Sequence, residues 1–90
     1  MPLKDRVAII TGAARGIGRA CAERFLAAGA AGVVLADIDA AAATAAAVQM
    51  DPGGERALAV QVDLTRRDEV EGMVETTLAK FGDLDILVNN

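Results

Sequence analysis

Three glycines near the start of the chain have the spacing of a phosphate-binding loop. They lie in residues 11–18, TGAARGIG, directly after the apolar run at 7–10. Gly12 suits a tight turn, Gly16 lets the backbone approach a diphosphate, and Gly18 lets a helix pack closely on a sheet. Free N–H groups and the positive dipole end at the start of that helix attract an anion. Because an ordinary strand-to-helix turn can also contain such glycines, the motif needs support from the rest of the chain.

An acidic residue lies at the spacing at which a ribose would be bound. Asp37 follows Gly18 by 19 residues, close to the spacing of about 20 at which a carboxylate meets the adenosine ribose. The alternative role is a loop carboxylate that caps or solvates a strand end. Repulsion of about 1 to 4 kcal/mol between Asp37 and a 2′-phosphate favours NAD over NADP. Arg15 would favour NADP if its guanidinium pairs with that phosphate. Its alternative role is that of a solvated loop charge, or of a general attraction for the diphosphate.

Short apolar runs alternate with helical segments along the whole chain. The runs typical of strands buried on both faces lie at 7–10, 32–36, 57–62 and 84–88, and the helical segments lie at 16–28, 40–50 and 65–81. Alternation with short connections predicts an α/β fold with a parallel sheet and right-handed crossovers. The doubly wound arrangement of four such strands has the order 3-2-1-4, with the glycine loop at the switch point between the first and the fourth.

Local signals set the ends of these helices. Asp39 is a candidate N-cap of the second helix, and Gly82 ends the third. Thr65 with Asp68 resembles a capping box at the start of the third helix, with Asp in place of the usual Glu. In the first helix Ile17 falls on the predicted apolar stripe, so we expect its side chain to pack in the core while its N–H could face the diphosphate.

Composition excludes several classes of function. A net charge of -4 provides no basic surface for nucleic acid, and no apolar run approaches the length of about 18 residues that a membrane span needs. The single Cys21 excludes an internal disulfide, so a cytoplasmic location is expected. The chain has no His, Tyr or Ser, which rules out His-centred metal sites and nucleophilic triads.

Four segments, in order along the whole chain, resemble the short-chain dehydrogenases/reductases. Residues 11–18 look like the family's TGxxxGxG loop, whose glycine spacing differs from GxGxxG, and Asp37 matches its acidic residue for NAD-type cofactors. The pair Asp63-Leu64 resembles the one that borders the adenine after the third strand. Residues 87–90, LVNN, look like the start of the family's NNAG motif. The resemblance implies a Rossmann-type doubly wound fold that binds NAD or, less favourably, NADP.

The chemistry of the residues and the resemblance together give the candidate cofactor-binding residues. They are Gly12, Arg15, Gly16, Ile17, Gly18, Asp37, Asp63, Leu64 and Asn89. Asp63 either lies at the adenine edge, through its side chain or nearby backbone, or simply begins the next helix. Asn89 either contacts the ribose side of the cofactor or ties neighbouring strands together through its amide.

The family's catalytic residues have no counterpart in this sequence. The family transfers hydride between an alcohol and a carbonyl with a Ser and a Tyr-x-x-x-Lys motif, whereas Lys4 and Lys80 lie outside any such motif. We therefore expect residues 1–90 to be the N-terminal part of a single NAD(P)-binding domain, without catalytic residues. The parent enzyme would act on a small-molecule alcohol or carbonyl and form a homo-oligomer. A non-catalytic dinucleotide-binding module and a non-functional fragment are the alternatives.

Overall fold

Strands and helices alternate through residues 3–90, the part of the chain that the computed structural model describes. The strands are β1 (Val7–Thr11), β2 (Gly32–Asp37), β3 (Ala57–Gln61) and β4 (Ile86–Val88). The helices are α1 (Gly16–Ala27), α2 (Ala40–Met50) and α3 (Arg67–Phe81). The predicted alternation is confirmed. β4 begins two residues later than predicted. The Asp85 N–H already donates to the Val7 carbonyl at 2.9 Å, but the Val7 N–H donates to the Asp85 carboxylate at 2.9 Å and not to a backbone carbonyl.

All four strands belong to one parallel sheet in the predicted order β3-β2-β1-β4. At the centre, Ile9 of β1 is aligned with Val34 of β2 on one side and with Leu87 of β4 on the other. Since the strands are parallel, their carboxyl ends share one edge of the sheet. The loop after β1 leaves that edge between β2 and β4, which is the switch point of the fold.

Helices cover both faces of the central strands, which explains why every residue of β1 is buried. On one face Ile10 and Leu35 belong to a core with α1 and α2. On the other face Ile9 and Val34 pack with Met73 of α3. The continuous apolar runs of β1 and β2 therefore follow from burial on two faces.

The N-cap predicted for α2 is confirmed, and the capping box predicted for α3 is not found. Asp39 caps α2, accepting the Ala42 N–H at 3.0 Å, as predicted. The capping box predicted for α3 is wrong, since α3 begins after Arg66 without a side-chain cap. The Thr65 hydroxyl instead donates to Asp63 at 2.6 Å.

The prediction that Ile17 packs in the core is also wrong. Its side chain is 81% exposed, whereas the buried residues of α1 are Gly18 and Ala22. The helix approaches the sheet through Gly18, so the preceding residue points away from the core. Among α1, α2 and α3, none has the length and the apolar character that crossing a bilayer requires.

A glycine in β2 provides a direct test of the packing between sheet and α3. A Cβ on Gly32 would lie 2.5 Å from the ring of Phe81, so Gly32→Ala must displace the ring. We expect the free energy of unfolding to fall by about 1 to 3 kcal/mol, as measured by urea denaturation of the intact protein.

Gly72→Ala is the matched control. A Cβ at Gly72, inside α3, would meet nothing within 4 Å, so this variant should be more stable by up to about 1 kcal/mol. Equal stability of the two variants would contradict the packing described for Phe81.

Candidate functional site

The loops that follow the four strands enclose a cleft of about 250 Å³ at the carboxyl edge of the sheet. Its lining residues are Gly12, Ala36, Asp37, Ile38, Val62, Asp63, Leu64 and Asn90. Four of the residues predicted from the sequence therefore line one cleft, although they come from three different loops. Arg15, Gly16, Ile17, Gly18 and Asn89 lie outside that lining.

Glycine is required at three positions in the loop after β1 and the first turn of α1, for two reasons. Gly12 and Gly16 adopt left-handed conformations, with φ of 63° and 62°, which cost other residues about 1 to 2 kcal/mol. A Cβ on Gly18 would lie 2.3 Å from the carbonyl oxygen of Gly12. At Gly16 a Cβ would meet nothing within 4 Å. The loop is thus packed tightly at Gly18 and open beside Gly16.

The open side of the loop coincides with the start of α1. The residue before this helix, Arg15, has an extended conformation, and no side-chain hydrogen bond caps the helix. The first N–H groups of a helix have no intrahelical partner and carry a partial positive charge. This end of α1 is therefore suited to an anion.

Asp37 joins the glycine loop to the loop after β2. Its Oδ2 accepts the Ala14 N–H at 3.1 Å and its Oδ1 accepts the Asp39 N–H at 3.0 Å. The Ala13 N–H also donates to the Ala36 carbonyl at 3.3 Å. These bonds hold the half-buried carboxylate in one orientation at the mouth of the cleft.

Arg15 pairs with Asp39 rather than with Asp37. Its Nη2 donates to Oδ2 of Asp39 at 2.7 Å. That hydrogen bond raises the pKa of Arg15. Together with the Ala42 N–H, it lowers the pKa of Asp39. Both groups are therefore charged at neutral pH, and the guanidinium already has an anionic partner.

Asp63 organises the turn between β3 and α3. Its Oδ1 accepts the N–H of Thr65 at 2.9 Å and the Thr65 hydroxyl, and these bonds lower the pKa of Asp63. The Asp63 N–H donates to Oε1 of Glu69 at 2.9 Å. Oδ1 and the N–H are thus both used inside the turn. Asp63 therefore shapes the turn that precedes α3, whose N-cap is Arg66, and its adenine-edge role stays a prediction.

Two apolar side chains border the cleft and remain exposed. Leu64 was selected from the sequence and is 50% exposed, whereas Ile38 was missed and is 65% exposed. The signal for Ile38 was present in the sequence, because an isolated apolar residue lies between Asp37 and Asp39 beyond the end of a strand. Solvent-exposed apolar side chains in a cleft favour a ligand with an apolar face.

The two asparagines after β4 have different positions. The Thr11 hydroxyl lies 3.3 Å from both the Val88 carbonyl and Oδ1 of Asn89, and it accepts the Asn90 N–H at 3.0 Å. Asn89 thus ties β4 to β1, and its contact with a ligand stays a prediction. Asn90, which sequence reasoning did not select, lines the cleft and donates through Nδ2 to the Gly12 carbonyl at 3.3 Å.

The cleft and the adjacent start of α1 present groups that suit a ligand with an anionic group, hydroxyl groups and an apolar face. The start of α1 would meet the anion, Asp37 would accept from hydroxyls, and Ile38 and Leu64 would contact the apolar part. Within residues 3–90 there is no group of three or more His, Cys, Asp or Glu side chains that could hold a metal ion.

Comparison with known proteins places this geometry in a family. A family model described as short chain dehydrogenase matches residues 6–90. A 1-deoxy-11-beta-hydroxypentalenate dehydrogenase from Streptomyces arenae is 44% identical over 90 residues, which is 100% of this chain and 32% of that protein. The chain spans about a third of the length of the curated relatives that it matches.

Two solved structures share the fold. A hydroxysteroid dehydrogenase from Escherichia coli superimposes with a TM-score of 0.91 at 40% identity, over 99% of this chain and 37% of that one. A 3-ketoacyl-(acyl-carrier-protein) reductase from Brucella melitensis, complexed with NADH, has a TM-score of 0.87 at 44% identity, over 94% and 33% of the two chains. With the family model matched from Arg6 to Asn90, the chain belongs to the short-chain dehydrogenase family.

Proposed function

We propose that this chain binds NAD and that the intact protein is an NAD(P)-dependent oxidoreductase acting on a small-molecule alcohol or carbonyl. One observation carries the proposal. Left-handed Gly12 and Gly16 bring the uncapped start of α1 to the same edge of the sheet as the Asp37 carboxylate. A dinucleotide has the two groups that such an edge would recognise, an anionic diphosphate and a ribose diol.

The diphosphate would lie beside Gly16, at the start of α1. A Cβ added there would meet nothing within 4 Å, and because glycine leaves this open space unfilled, a ligand can approach the backbone closely. The N–H groups of Gly16, Ile17 and Gly18 are in the first turn, where they have no intrahelical acceptor. Because the side chain of Ile17 is exposed, its backbone N–H is the group of this residue that would contact the diphosphate.

The adenosine ribose would bind to Asp37. Each of its carboxylate oxygens accepts one backbone N–H in this structure, and a carboxylate oxygen has capacity for a second hydrogen bond. Both ribose hydroxyls could therefore donate to a carboxylate that is already oriented. A 2′-phosphate at the same place would meet like charge.

The adenine ring would lie in the cleft between the loops after β2 and β3. Ile38 and Leu64 offer apolar contact for a flat ring. Asp63 lines the same cleft and would accept a hydrogen bond from an exocyclic amine through Oδ2, since Oδ1 is used by Thr65. The residues present thus fit the diphosphate, the adenosine ribose and the adenine ring of such a dinucleotide.

When bound, the nicotinamide of the cofactor would supply or accept the hydride. The names of the relatives, dehydrogenases and reductases, and the NADH complex of the Brucella melitensis reductase support this chemistry. This chain has no Tyr and no Ser, so we assign it cofactor binding and not proton transfer. A cytoplasmic location and a homo-oligomeric assembly stay predictions.

NAD should bind to the intact protein at least about fivefold more tightly than NADP, because a 2′-phosphate would be repelled by Asp37. Isothermal titration calorimetry with each nucleotide measures the ratio directly. Asp37→Asn removes the charge and keeps an acceptor oxygen, so it should reduce the preference for NAD over NADP. Tighter binding of NADP by the wild-type protein would contradict the assignment of Asp37.

Gly16→Ala separates ligand binding from stability. Because Gly16 has a left-handed conformation in open space, a Cβ should cost about 1 to 2 kcal/mol of folding free energy. The same Cβ would occupy the space beside the proposed diphosphate, so NAD affinity should fall at least about tenfold.

Gly54→Ala is the matched control. Gly54 also has a positive φ of 69° and nothing within 4 Å of an added Cβ, but it precedes β3, away from the cleft. It should lower the melting temperature about as much as Gly16→Ala and leave NAD affinity unchanged. Equal NAD affinities of the two variants would show that no diphosphate lies beside Gly16.

A further inference from the structure

A second carboxylate, Asp39, lies close to the position proposed for the ribose and holds the cation of the glycine loop. Arg15 donates to Oδ2 of Asp39 at 2.7 Å, while Oδ1 of Asp39 accepts the Ala42 N–H at 3.0 Å. Oδ2 of Asp37 is occupied by the Ala14 N–H. The guanidinium is thus oriented by a carboxylate that is itself fixed by its role as a helix cap.

We propose that Asp39 is a positioning residue for cofactor choice, which keeps the Arg15 guanidinium from pairing with a 2′-phosphate. The inference rests on the proposed binding of a nicotinamide dinucleotide by this edge of the sheet. It assigns selection against NADP to two residues with different actions. Asp37 repels the phosphate directly, and Asp39 withholds the cation that would otherwise attract it.

The exposure of Arg15 and Asp39 and the hydrogen bond between them support the separate roles of Asp37 and Asp39. Arg15 is 69% exposed and Asp39 39% exposed, so the guanidinium can reach a ligand if it is released. The short hydrogen bond between charged groups is of the strong type that a phosphate must compete against. Without Asp39, the Arg15 guanidinium would keep only the more distant charge of Asp37, and a 2′-phosphate could then pair with it.

Asp39→Asn tests the pair without removing the cap. Asparagine is as good an N-cap as aspartate, so its side-chain oxygen can still accept the Ala42 N–H. The negative charge that holds Arg15 is lost. Asp39→Ser, which also caps helices, is the second variant in case the first does not fold.

The experiment measures the dissociation constants of NAD and NADP for the intact protein in four forms. These are the wild type, Asp39→Asn, Arg15→Gln and the double variant. In Asp39→Asn the affinity for NADP relative to NAD should rise about fivefold, the scale of an exposed charge pair. In the Arg15→Gln background the same substitution should change this ratio less than about twofold, because only distant charge repulsion is removed.

Glu71→Gln on α3 is the control for a change in net charge, and it should leave the ratio unchanged. Asp39→Asn without any gain in relative NADP affinity would overturn the inference, and so would an equal gain in the Arg15→Gln background. In both cases NAD binding by the wild type would leave the proposed function intact. A wild-type protein that binds neither nucleotide would overturn the proposed function together with this inference.

Discussion

The start of α1 rests against the carbonyl of Gly12, and the candidate site depends on that close approach. A side chain at Gly18 would lie 2.3 Å from this backbone oxygen, so only glycine lets the helix come so near to the loop. The approach turns Ile17 outward and leaves Gly16 beside open space. The uncapped N–H groups of the helix are then presented at the carboxyl edge of the sheet.

Hydrogen bonds between loops hold this edge together. Asp37 and Asp39 connect the glycine loop to the start of α2, and Thr11 connects β1 to the end of β4. The groups proposed to recognise a dinucleotide are therefore oriented by the protein itself, which would lower the ordering cost of binding. The same bonds explain why residues distant in sequence, such as Gly12 and Asn90, border one cleft.

The sequence was sufficient where local chemistry or strong patterning decides the structure. Apolar runs separated by helical segments predicted the strand order, and a single acidic residue before an alanine-rich segment predicted the Asp39 cap. The sequence was insufficient where tertiary contacts determine the position of a side chain. Ile17 has helical spacing but is turned outward by the approach at Gly18, and Thr65 donates to Asp63 instead of capping α3.

In the candidate site, the sequence identified residues at the ends of the strands. It did not identify the groups with which these residues form hydrogen bonds. Asn90 was missed because its place in the cleft depends on how the loops meet, whereas Ile38, an isolated apolar residue beyond the end of β2, had a signal in the sequence. Nor could the sequence show that Arg15 pairs with Asp39 rather than with Asp37, since both carboxylates lie at similar separation along the chain. The tertiary fold determines which of the two carboxylates pairs with the Arg15 guanidinium.

The most direct test of the central claim, that the loop after β1 binds the diphosphate of a dinucleotide, is an NMR titration of the intact, ¹⁵N-labelled protein with NAD. The amide resonances of Gly16, Ile17 and Gly18 should shift saturably with a common dissociation constant, while those of Gly53 and Gly54 should stay unchanged. Saturable binding of NAD without any shift in residues 12–18 would contradict it.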